Sequence, residues 1–184
     1  MAVLKVLRVP NPVLKKKAQK IDVISDEIKT LADDMLETMY AIDGIGLAAP
    51  QVGRLVRLIV IDVKWRKDTQ EKEPIIMINP EICDRSEELN TYCEGCLSVP
   101  GQYEEVTRPK RVTFKYTDTD GAEHKVEADG LLATAVQHET DHLEGKLFID
   151  YLSPLKRNII IRKVKKMGDR LYEPDDADEN GKEE

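Results

Sequence analysis

The sequence predicts an α+β fold: antiparallel or mixed sheets packed around a central helix that carries two histidines, with a further helix at the C-terminal end. Three observations predict it. β-Branched runs and one alternating hairpin supply strands, three stretches have helical apolar spacing, and strands and helices do not alternate as parallel βαβ units require. No internal repeat or linker divides the chain, so residues 1–172 are expected to form one catalytic domain and residues 173–184 an acidic tail.

The elements follow in chain order. Pro12 suits a first helical position and opens a short helix over residues 12–18. From Ser25, a natural cap followed by Asp26 and Glu27, the apolar positions Ile28, Leu31, Ala32, Met35, Met39 and Ile42 keep helical spacing until Gly44. GIGLAAPQVG, residues 44–53, reads as a loop or short extended segment, and LVRLIVIDV, residues 55–63, as a strand. Residues 64–73 are polar and irregular. Residues 74–82 form another strand, interrupted by Pro80, and Cys83 beside it is expected to be a small buried residue. YCEGCLSVPG, residues 92–101, is too rich in glycine and proline for a long regular element. Residues 111–117 and 122–128 alternate in polarity around DTDG, a hairpin with its turn at the tip. Asp129 can cap a helix through Leu131, Ala135, His138 and His142, closed by Gly145. A basic amphipathic helix covers residues 153–170.

Charge is unevenly placed. The formal net charge is −7, of which −6 lies in residues 173–184, leaving about −1 for everything before them. Acidity is therefore a property of the tail and says nothing about a substrate. That tail is too polar to dock and is expected to be disordered. No run approaches the ~20 apolar residues of a membrane span. The opening MAVLKVLRVPNP has neither a signal peptide's apolar core nor a transit peptide's serine and arginine bias. A cytoplasmic protein without membrane or DNA contact is expected. Three cysteines without a secretory signal argue against a disulfide framework.

Chemistry concentrates in QHETDHLEG, residues 137–145. His138 and His142 stand four apart, on one helix face, with Glu139 beside them: the H-E-x-x-H arrangement of metal-assisted hydrolysis. A third histidine is missing, since Phe148 occupies its place in the longer pattern and His124 sits on the hairpin. The remaining ligand must be a carboxylate or a cysteine. Cys93 and Cys96 together would make a closed structural zinc site, although the 41 residues between Cys96 and His138 far exceed compact zinc-finger spacing. One cysteine alone would leave a fourth position open for water. With H-E-x-x-H alone, a metallopeptidase is the competing enzyme reading. Asp141, between the histidines, suits an ion pair.

GIGLAAPQ (residues 44–51), EGCLSVP (residues 94–100) and QHETDHLEG, in that order, resemble the three motifs of peptide deformylases over about residues 2–170. The resemblance implies hydrolysis of the N-formyl group from the formylmethionine of nascent polypeptides, releasing formate. It implies Cys96, His138 and His142 as ligands of one divalent metal, Fe2+ in the cell with Zn2+, Ni2+ or Co2+ able to substitute, and leaves Cys93 a bystander. Glu139 is implied as the proton carrier, and the Gln51 side chain with the Leu97 backbone N–H as donors to the oxyanion. Methionine then needs an apolar pocket, expected from Gly44, Ile45 and Gly46 with the helix face of Leu131 and Ala135. Many family members carry an arginine seven residues after the metal cysteine; this chain has Tyr103. The family's C-terminal helix implies ribosome contact through the basic residues here.

Overall fold

The computed structural model describes residues 2–65, 68 and 71–167. The expected acidic tail, the last three residues of the expected C-terminal helix and part of the polar stretch after residue 64 lie outside the described residues. A 3-10 turn at Pro12–Lys15 opens the chain, its backbone started by the Asn11 side chain. Helix α1, Asp26–Ala41, begins at the Ser25 cap. Strands β1 (Gly46–Ala48) and β2 (Leu58–Ile61) flank a 3-10 turn at Ala49–Val52. Then come β3 (Ile75–Arg85), β4 (Leu89–Cys96), β5 (Val99–Pro109), β6 (Val112–Thr117) and β7 (Glu123–Ala128). Helix α2 is Gly130–Leu143, a 3-10 turn spans Phe148–Tyr151, and α3 is Pro154–Met167.

β1-β2-β3-β6-β7 make one antiparallel sheet and β4-β5 a separate ribbon. The four apolar residues of β2 are all buried because both sheet faces are covered. Leu58 and Val60 join Leu31, Met35 and Met39 of α1, whereas Ile59 and Ile61 join Ala135, Val136 and Leu143 of α2. Helix α2 thus lies against the middle of the molecule, and its other flank meets the ribbon. A third core, including Val99, Val106, Phe148, Ile160 and Val164, binds that ribbon to α3.

Several local expectations change. Residues 92–101 belong to two long strands rather than an irregular loop, because the ribbon has two open edges that tolerate Pro100, and Gly95 faces the Tyr103 ring, where a Cβ would come within 2.5 Å. β3 continues past Pro80 by a register shift after Ile78, with Asn79 at φ 52°. The strand expected over residues 55–63 shortens to β2. Cys83 is exposed, since it lies beyond the covered part of the sheet. Asp43, at φ 56°, takes the left-handed position after α1; Gly44 serves close approach instead, for a Cβ there would lie 2.9 Å from Leu97 Cδ1. Asp129 occupies the cap position of α2 without a side-chain hydrogen bond.

Candidate metal centre and active site

The i, i+4 spacing on α2 brings the imidazoles of His138 and His142 within 5.1 Å, centroid to centroid. Cys96 enters from the end of β4, and one donor atom from each of Cys96, His138 and His142 lies within 4.8 Å of the others. Cys96 Sγ stands 3.3 Å from His142 Nε2. The two imidazoles are held differently. His138 donates Nδ1–H to Glu94 Oε2 at 2.8 Å, which settles its tautomer. His142 Nδ1 is buried with no partner among the described residues.

Beneath His138 lies an ionic network that the motifs did not announce. Glu94 and Arg108 are almost fully buried and paired twice, Nε to Oε1 at 2.5 Å and Nη2 to Oε2 at 3.0 Å. Arg108 also donates to Asp141 at 2.8 Å, and the Tyr151 hydroxyl donates to the same oxygen at 2.8 Å. Asp141 therefore forms the ion pair its position suggested. Glu94 stood within EGCLSVP, but nothing in the sequence linked it to Arg108 fourteen residues later.

The two imidazoles are shifted in opposite directions. Burial pushes the His138 imidazolium down, yet Cys96 and Glu94 outweigh it and raise its pKa well above the ordinary value. A metal bound there takes the place of that proton, since only the neutral imidazole ligates. Burial, helped by His138 and Arg108, holds His142 well below the ordinary value, as a neutral ligand must be. Burial raises the Glu94 carboxyl, but hydrogen bonds from His138 and Arg108 prevail and leave it lowered. Glu139, buried and with Oε2 unpartnered among the described residues, is pushed up to about 7, first by burial. One thiolate and two imidazoles suit a borderline divalent cation, and three protein donors leave a position for water.

The glycine-rich segment supplies the other wall. Gln51 Oε1 accepts from the Ala48 N–H at 2.8 Å, so its amide nitrogen must face the site, 3.5 Å from Cys96 Sγ and 3.2 Å from Ser98 Oγ. A Cβ on Gly46 would overlap the Glu139 carboxylate. Leu97 sits in the turn between β4 and β5. A cavity of about 740 Å³ opens over these groups and is lined by Gly44, Ile45, Gly46, Leu131 and Ala135 among others. Tyr103 lies at the same cavity, 69% exposed. Cys93 is exposed on β4 opposite Glu105, outside the group of donors, and so the closed two-cysteine site is not assembled.

The polypeptide deformylase family model matches residues 3–158. The chain belongs to the peptide deformylase family. A peptide deformylase of Rhizobium meliloti is 51% identical over 166 residues, 90% of this chain and 94% of that protein. One from Acinetobacter baumannii is 51% identical over 167 residues, 91% of this chain and 93% of that protein. The crystal structure of the Ehrlichia chaffeensis peptide deformylase in complex with actinonin superposes with a TM-score of 0.87 at 42% identity, covering 92% of this chain and 99% of that one. The deformylase architecture explains why three distant motifs converge: β1 with its following turn, the ribbon end and α2 meet at one cavity floor. The α+β fold with its C-terminal helix agrees with these structures. Among the described residues no helix is long and apolar enough to cross a membrane.

Proposed function

We propose that this metal-dependent hydrolase removes the formyl group from N-terminal formylmethionine of nascent polypeptides, releasing formate. The observation that carries the residue assignment is the grouping of the Cys96, His138 and His142 donors at a cavity that Cys96 and His138 line together with Glu139 and Gln51. Cys96, His138 and His142 hold the metal, which when bound supplies Lewis acidity, lowering the pKa of water and polarising the formyl carbonyl. Glu139 takes the proton of the attacking water and passes it to the leaving nitrogen, a task that suits a buried carboxyl near neutrality. Gln51 Nε2–H and the Leu97 backbone N–H donate to the formyl oxygen as charge develops on it. Gln51 is pre-aimed by Ala48, so it loses no freedom at the moment of reaction. The methionine side chain enters between residues 44–46 and the Leu131 and Ala135 face of α2, and the glycines let the peptide approach closely.

Likeness to the deformylase family supports Fe2+ as the metal in the cell, and a thiolate ligand, which dampens Lewis acidity, makes that choice matter; Zn2+, Ni2+ or Co2+ can occupy the same donors. The enzyme acts in the cytoplasm, and α3, bearing Lys156, Arg157, Arg162, Lys163, Lys165 and Lys166, contacts ribosomal RNA. Unchanged ribosome binding after charge reversal of Lys163, Lys165 and Lys166 would count against that contact.

Anaerobic purification with ferrous iron, followed by measurement of formate released from a formyl-methionyl peptide, tests the reaction. Release that disappears in Glu139→Gln is expected. No release from metal-loaded protein would refute the assignment.

A further inference from the structure

Asp62, just after β2, is 1% exposed and has no ion-pair partner among the described residues, an expensive arrangement for a carboxylate that touches no reacting group. Four donors satisfy it. Oδ1 accepts from the Lys64 and Trp65 backbone N–H groups at 3.1 and 3.0 Å, and Oδ2 accepts from the Tyr40 hydroxyl and the Glu73 N–H, both at 2.8 Å. One side chain thus ties the end of α1 to both ends of the segment that follows β2.

The tie reaches the cavity by two routes. The Asp62 N–H donates to the Ile45 carbonyl at 2.9 Å. Trp65, packed on Tyr40 at 4.8 Å between centroids, donates its indole N–H to Asp43 Oδ1 at 3.2 Å, and Lys72 Nζ lies 4.3 Å from the Tyr40 ring centre. Residues 42–46 are therefore pinned from behind at Asp43 and Ile45. Their front surface leaves no slack, since Gly44 abuts Leu97 and Gly46 abuts the Glu139 carboxylate. All five line the cavity.

We propose that Asp62 is a positioning residue for this site: its carboxylate, through Tyr40 and Trp65, sets the depth at which the strap of residues 42–46 receives the methionine side chain. The inference rests on the deformylase reading above. The clamp holds the strap at Asp43 and Ile45, short of Gly46 beside Glu139, and touches no metal ligand, so substrate grip should change more than chemistry.

Tyr40→Phe removes one donor from Oδ2 while keeping the ring packing, and Asp62→Asn keeps the shape while replacing acceptor by donor on one side. Steady-state kinetics would be measured for both, anaerobically and iron-loaded, with formyl-methionyl and formyl-alanyl peptides. For Tyr40→Phe the KM of the formyl-methionyl peptide is expected to rise about five-fold, the order of one lost net hydrogen bond. Asp62→Asn should exceed that. kcat should stay within about two-fold, and the KM of the formyl-alanyl peptide, whose shorter side chain buries less against the strap, should change less than that of the formyl-methionyl peptide. A lower melting temperature with both KM values unchanged would make Asp62 a structural clamp only and overturn the proposal. So would a fall in kcat at constant KM. If Asp62→Asn does not fold, Tyr40→Phe decides alone. Absence of formate release from the unsubstituted enzyme would instead overturn the deformylase reading and this inference with it.

Discussion

Glu94→Ala probes the network beneath the metal centre. The substitution removes three contacts: the paired hydrogen bonds to Arg108 and the acceptor of His138 Nδ1–H. Arg108, with its side chain 5% exposed, keeps Asp141 and loses its better buried partner. Removing one member of a buried pair costs about 3–5 kcal/mol, because the remaining charge stays desolvated. Each kcal/mol lowers the melting temperature by about 2–4 °C in a chain of this size, so a drop of about 6–20 °C is expected. Loss of the Nδ1 anchor should also weaken the metal, by about 10- to 100-fold for a ligand's outer partner. Glu94→Gln, whose amide oxygen can still accept from Nδ1–H, should recover part of the metal affinity but not the charge pairing. Thermal melts of the loaded protein and competition against a graded chelator read the two effects separately. A Glu94→Ala protein that melts with the unsubstituted one and holds metal equally well would refute the reasoning.

Other expectations follow from the same geometry. Gly46→Ala places a methyl group into the Glu139 carboxylate, so kcat should fall about 100-fold or more with little change in melting temperature; unchanged kcat would mean that Glu139 has room the structure does not provide. Gln51→Ala should lower kcat by about 10²–10³-fold and stability by only about 1–3 kcal/mol, the latter from the unpaired Ala48 N–H, as measured by kinetics beside urea denaturation. Cys93→Ser should keep full metal stoichiometry, because Cys93 lies outside the donor group; metal loss on elemental analysis would revive the closed zinc site. Stripping the cation should lower the melting temperature by about 8–16 °C, the loss of about 4 kcal/mol of binding linkage at a thousand-fold excess over Kd, and ferrous iron should restore it. The iron-loaded form should then lose activity in air, through oxidation at iron beside a thiolate, whereas a zinc-loaded form should hold its lower activity.

Local patterns in the chain were enough for α1, the β6-β7 hairpin and α2. Each is specified by neighbours in sequence: Ser25 before an apolar period of 3.6, DTDG between alternating runs, and histidines four apart. The ribbon β4-β5 escaped that logic. Its regularity depends on Gly95 facing the Tyr103 ring and on open edges for its prolines, facts of pairing rather than of composition. Cys83 was misplaced for a related reason, since exposure of a strand end depends on where the covering helix stops.

By itself, the sequence determined the chemical inventory: two histidines and a glutamate on one helix face, a cysteine that could complete the donor set, and the order of three motifs that marks the family. Covalent spacing along a helix carries that information. Only the tertiary structure shows Cys96 beside the two histidines with Cys93 apart from them, His138 Nδ1 turned to Glu94, and what holds that carboxylate in place. That carboxylate is held through a network of Glu94, Arg108, Asp141 and Tyr151, which lie on four different elements. Burying a charge so near a cation is tolerable only when its partners converge from across the fold, and such convergence leaves no periodic trace in the chain.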